Sequence, residues 1–136
     1  MLYQIDVDYG LQNELICQSK IEQYFNQKLN KLDYYNDFDF TNNNNNLLIE
    51  LKSRRCRITD YSDTMISISK INKAKKLIKN KNKNTQIYFF FYYLQNDLYY
   101  WKYDDKTVLR VDNNCIYRGI RKQYAYIDTK LLTKIN

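Results

Sequence analysis

The chain has 136 residues, no proline, no histidine and only two glycines, and its 22 Lys and Arg against 15 Asp and Glu leave a net charge of +7. The missing histidine excludes Ser-His and Cys-His nucleophiles and histidine metal centres, so any hydrolysis has to rest on carboxylates, lysine and a hard metal. With 44% hydrophobic residues and few chain breakers, disorder is excluded as well, and one domain over residues 1–136 with a single core is expected.

The positive balance favours a polyanionic partner such as nucleic acid. Part of it is the Lys, Asn, Ile, Tyr and Phe bias of AT-rich coding sequence, which accounts for the tyrosines too. Cys17, Cys56 and Cys115 are odd in number and widely spaced, so neither a zinc knot nor a disulfide framework is indicated, and a reducing compartment fits. Asp6 and Asp8 come too early for a signal peptide, and no apolar run approaches the ~20 residues of a membrane helix. An intracellular chain with no membrane association is expected.

In chain order, Leu11, Leu15, Ile16, Ile21, Tyr24, Phe25, Leu29 and Leu32 recur at helical spacing, which predicts a helix over Gly10 to Leu32, capped by Asp8. Glu14 lies in its first turns, where a carboxylate suits the helix dipole. A hairpin follows, with strands at about Tyr34 to Phe40 and Leu47 to Arg54 and the asparagine run Asn42 to Asn46 as a flexible polar loop. Phe38 and Phe40 alternate with Asp37 and Asp39, and Leu47, Ile49 and Leu51 alternate with Glu50 and Lys52. Pairing apolar with apolar sends Asp37, Asp39, Glu50 and Lys52 to the opposite face, with cross-strand neighbours about 5 Å apart. Carboxylates that close stay ionised only around a cation, either a protein ammonium or a divalent metal.

Beyond Lys52, the cluster Arg54, Arg55 and Arg57 could clamp phosphates or merely solvate a strand end. A short strand near Met65 to Ile68 leads to a second helix, about Ser69 to Lys79, with Ile71, Ala74, Leu77 and Ile78 inward. Lys70, Lys73, Lys75, Lys76 and Lys79, extended by Lys81 and Lys83, make the densest basic patch in the chain. Gln86 to Leu94 is continuously apolar, as a strand covered on both faces would be. An antiparallel neighbour is predicted over Leu98 to Tyr103, a short pair of strands around a turn at Asp112 to Asn114, and a terminal strand and tail over Tyr124 to Leu132.

An acidic residue ending one strand, followed by Glu-x-Lys on its partner (Asp39, then Glu50-Leu51-Lys52), resembles the active-site hairpin of the PD-(D/E)-x-K, restriction-endonuclease-like nucleases. The proline of that motif is absent. Small phage and large-virus members share further segments seen here as Gly10 and Glu14, Lys70 to Ala74, Tyr99 to Tyr103, Arg118 to Arg121 and Tyr126-Ile127. The resemblance implies an α/β fold, an α-β-β-β-α-β core with a central mixed sheet flanked by helices. It implies a metal-dependent DNA endonuclease in which Asp39, Glu50 and Lys52 are catalytic. Asp39, Glu50, the Leu51 carbonyl and Glu14 would hold Mg²⁺ or Mn²⁺, and Asp37 competes with Asp39 for that role. Arg54, Arg55, Arg57, Lys70, Lys73 and Lys76 would contact DNA. Cutting is expected to be structure-dependent or weakly sequence-specific, with a homodimer where both strands are cut. Two rivals stay open: an inactive nuclease-fold module that binds DNA or protein, and a virion or host-interaction protein whose charge is incidental.

Overall fold

The computed structural model describes residues 2–33, 35–80 and 84–135, with side chains except those of residues 2–8, 114, 115 and 117. Helix α1 runs Leu2–Phe25, so it starts earlier and stops sooner than its periodicity predicted. Its end is a Schellman motif. Asn26 takes φ 52°, its N–H donates to Gln23 O, and Gln27 N–H donates to Glu22 O. Asparagine tolerates this left-handed position where most residues do not. The Glu22 carboxylate then receives Leu29 N–H at 2.8 Å, and Leu29, expected on the helix, opens the edge strand β1 (Leu29–Lys31). The buried stripe of α1 is Asn13, Cys17 and Ile21 at steps of four, whereas Leu11, Leu15 and Ile16 are exposed. The predicted cap, Asp8, lies outside the described side chains.

Strand β2 (Phe40–Asn42) pairs antiparallel with β1 and with β3 (Leu47–Ser53), placing Phe40 opposite Ile49. The predicted first strand ended where the observed one begins. Residues 35–39 form turns and bends, and Tyr34 lies outside the described residues. The expected alternation therefore fails at its start, with Phe38 in the core under one sheet face and Phe40 in the core under the other. The asparagine run is an ordered turn. The Asn42 side chain accepts from the N–H groups of Asn46 and Leu47, and Asn45 supplies the positive φ.

β5 (Gln86–Tyr93) lies parallel to β3 and antiparallel to β6 (Asp97–Lys102), which pairs with the last strand, β9 (Thr133–Ile135). The main sheet is thus mixed, in the order β1-β2-β3-β5-β6-β9. Alternation along β5 divides the core. Tyr88, Phe90 and Tyr92 pack toward α1 with Cys17 and Ile21, while Ile87, Phe89, Phe91 and Tyr93 pack toward α2 (Ile68–Asn80) around the fully buried Ala74. Each face of the strand is covered, which is why its sequence carries no polar alternation.

The expected order of helix, strands, helix and strand recurs with β1 added. One strand departs from it. β4 (Asp63–Ser67) leaves the main sheet and joins a second, three-stranded one with β8 (Ile120–Asp128) and β7 (Arg110–Tyr117). The turn predicted at Asp112 to Asn114 is instead a register shift within β7, and the hairpin turns at Arg118 and Gly119. Both have positive φ, 52° and 77°, as a two-residue type I′ turn requires, and glycine supplies it without strain. Lys81 and Lys83 lie outside the described residues.

Candidate active site

Phe40 lies opposite Ile49, and Asp39, in the bend just before β2, is also tied to β3. Asp39 N–H donates to Ile49 O at 2.9 Å, and Asp39 Oδ2 accepts from Leu51 N–H at 2.7 Å. In a strand the N–H and C=O of one residue point the same way, so the Leu51 carbonyl faces the edge where the Asp39 carboxylate lies. Asp39, Glu50, Leu51, Lys52 and Glu14 line one cavity of about 460 Å³, together with Tyr9, Gly10, Ser53 and Arg55. Helix α1 forms its opposite wall, held there by a 2.9 Å hydrogen bond from Asn13 Nδ2 to Ser53 Oγ.

Glu50 is the electrostatic centre. It is 3% exposed, and burial, then the Asp39 charge and a shared proton with Asp39, push its carboxyl up to about 8, against the pull of Lys52 and Lys70. Lys70 Nζ stands 2.9 Å from Oε2, an ion pair by distance, yet not aligned as a hydrogen bond. Oε2 is therefore buried without a hydrogen-bond donor among the described residues. The Lys70 ammonium is the positive charge that such an atom, buried beside a second carboxylate, calls for.

The other expected ligands are placed unequally. Asp37 is exposed and pairs with Lys73 at 3.7 Å, so Asp39 is the acidic partner of Glu50 and Asp37 is not. Glu14 reaches the cavity but is ion-paired with Lys31. Among the described residues no group of three Asp, Glu or Cys side chains is set to cage a metal. Asp39, Glu50 and the Leu51 carbonyl are a partial oxygen shell, which suits a hard cation that keeps several waters. Lys31 takes one oxygen of Glu14, Oε2, and leaves Oε1 for an outer ligand role.

The proposed nucleic-acid contacts need correction at one position. Arg54 is turned inward, with Nε donating to Thr64 Oγ1 at 3.1 Å, Nη2 donating to the Met65 carbonyl, and its guanidinium over the Phe91 ring. It ties β3 to β4 and is withdrawn from the phosphate-binding set. Arg55 is exposed at the rim of the acidic cavity, over the Tyr9 ring. Arg57, Lys73 and Lys76 are exposed, Arg57 beside a different cavity. Lys70 lies inside the site, its ammonium shared between Glu50 and the Asp37 carbonyl. Sequence reasoning also missed Asn13, whose only signal is a polar residue on the step-of-four stripe with Cys17 and Ile21.

A mixed α/β sheet with a carboxylate pair, a lysine and a backbone carbonyl gathered beside the middle of one strand defines a nuclease-like α/β protein. A protein-family model described as "Phage putative PDDEXK endonuclease" matches residues 3–124, and the chain belongs to this phage-type PD-(D/E)-x-K family. No curated protein matches it.

Proposed function

We propose that the chain is a metal-dependent DNA endonuclease acting as a single nuclease-like unit inside the cell. The observation that carries this reading is the buried Glu50 carboxylate beside Asp39, with Lys70 Nζ 2.9 Å from Oε2 and Lys52 in the same cavity. Asp39, Glu50 and the Leu51 carbonyl would hold Mg²⁺ or Mn²⁺, with Glu14 as an outer ligand. When bound, a divalent ion supplies Lewis-acid polarisation of the phosphoryl group and a nucleophilic water at neutral pH.

The chain's own groups do the rest. Glu50 sheds its proton before it can act as a ligand. The Leu51 N–H fixes the Asp39 carboxylate so that its other oxygen is presented to the cavity. Lys52, exposed at the cavity wall, neutralises charge on the scissile phosphate and orients the attacking water. Arg55, Lys73 and Lys76 make phosphate contacts that weaken with salt and carry no base information. Specificity then follows DNA structure more than sequence, and cutting both strands takes two copies of the chain.

Nicking of supercoiled plasmid tests the proposal. Activity with Mg²⁺ or Mn²⁺, abolished by EDTA, by Glu50→Gln and by Lys52→Ala, is the expected result, and activity that survives both substitutions would overturn it. One observation favours an inactive DNA-binding module of the same fold: Lys70 already brings an ammonium to Glu50, where a metal would otherwise supply the charge. Salt-sensitive DNA binding without metal-dependent nicking would select that reading.

A further inference from the structure

A second cavity, of about 340 Å³, opens beyond the end of β3, within the ~300–1,000 Å³ range of small-ligand pockets. Its walls include Tyr61, Met65, Tyr93 and Tyr126, with Arg54 and Arg57. Tyr61 is 66% exposed and Met65 38%, so a flat ring and a thioether stand at the water's edge. Tyr93 is 4% exposed, and its hydroxyl is buried with no hydrogen-bond partner among the described residues. Its polar neighbour Thr64 accepts from Arg54 Nε and keeps its own O–H to turn toward the phenol oxygen. The carboxylate in the lining, Asp63, is paired with Arg110 at 3.0 Å, and Arg54 is committed to Thr64 and Met65, so the exposed Arg57 is what makes the mouth of the cavity cationic.

The two cavities share one stretch of chain. Ser53 and Arg55 line the acidic cavity, whereas Arg54, Cys56, Arg57 and Ile58 line the second. From Glu50 to Arg54 an extended backbone advances about 13 Å, or roughly four stacked nucleotides of one strand. The two cavities open on opposite sides of this stretch, α1 walling the first and residues that pack toward α2 lining the second, so a strand passing Asp39 and Arg55 reaches the second mouth by rounding the end of β3. Aromatic faces and a thioether suit a planar heteroaromatic ring, and the exposed Arg57 suits a phosphate flanking it. A bare phosphate would leave the rings unused.

We propose that this cavity receives one unstacked nucleobase of the nucleic acid held at Asp39 and Glu50, so that the preferred substrate carries an unpaired base a few nucleotides from the cut. The proposal rests on the endonuclease reading for its substrate and adds the feature recognised. It is tested without cleavage, in EDTA, by fluorescence anisotropy with a single-stranded oligodeoxynucleotide and an abasic one of equal length and phosphate number. The base-bearing strand is expected to bind about tenfold more tightly, the worth of one stacked base. Tyr61→Ala is expected to erase that difference with an unchanged melting temperature. Equal binding of the two strands by the unmodified chain would overturn the proposal, as would a preference that persists in Tyr61→Ala. So would displacement of the base-bearing strand by N-acetyltyrosinamide but not by deoxyadenosine, which would mark a peptide site. Magnesium-dependent plasmid nicking, scored alongside, separates the two readings, because the base preference can fail while nicking persists, and nicking can fail while the preference persists.

Discussion

Lys70 Nζ lies 2.9 Å from Oε2 of Glu50, joining the first turn of α2 to the middle of β3. It also donates to the Asp37 carbonyl, so one ammonium holds the helix, the bend before β2 and the buried carboxylate together. Removing it as Lys70→Ala takes away the nearest charge that favours ionised Glu50. In metal-free protein the Glu50 titration, followed by NMR of the side-chain carboxyl, is expected to move up from about 8 by about one unit or more. Lys70→Arg should hold it in place.

Glu50 also sets the pH dependence of folding. Its carboxyl titrates near 4.5 when free and near 8 when folded, so between those values the folded state holds the extra proton. Stability contributed by this group is complete below about 4.5 and is lost as pH rises through about 8, by at most about 5 kcal/mol. Denaturant titrations of metal-free protein at pH 5, 7 and 9 should show the fall, and Glu50→Gln should flatten it.

Metal binding runs the other way. A ligand carboxyl must be ionised, so the rise in melting temperature produced by Mg²⁺ or Ca²⁺ should be larger at pH 8 than at pH 6. Thermal scans at fixed ion concentration measure it directly, and an equal rise at both values would count against Glu50 as a ligand.

Arg54 and Arg55 are adjacent in sequence and opposite in role. Arg54→Ala leaves the Met65 carbonyl and Thr64 without their donor and is expected to cost about 1–3 kcal/mol of stability. Arg55→Ala, at an exposed position, should change stability by less than about 0.5 kcal/mol while weakening DNA binding and lowering its salt dependence. Parallel unfolding and binding titrations separate the two.

Gly10 lies within α1, and a methyl group there would meet no atom within 4 Å. Gly10→Ala should therefore stabilise the helix by about 0.5–1 kcal/mol. Because Gly10 lines the acidic cavity, the same methyl narrows the approach of a substrate backbone, and nicking is expected to fall as the melting temperature rises.

The second strand of the central hairpin could be read from sequence because its information is local. Alternation over Leu47 to Lys52 needs only the pleat of a strand, and that placed Glu50 and Lys52 on the same face. The unbroken apolar run Ile87 to Tyr93 likewise announced a strand covered on both sides. The short edge elements were not readable in this way. Leu29 continues the helical spacing of α1, and only the left-handed Asn26 breaks the helix before it. Phe38 and Phe40 look like one face of a strand, but the chain bends between them and delivers each to a different layer.

Residue types alone decided that this protein has no histidine chemistry, that its acids and lysine cluster around one β-ribbon, and that its charge suits a polyanion. Which of the two aspartates faces Glu50, which arginine is turned inward and which lysine approaches the buried carboxylate were decided by packing. Each depends on how α2 and β4 come to lie against β3, and contacts between segments so distant along the chain leave no periodicity for a sequence to display.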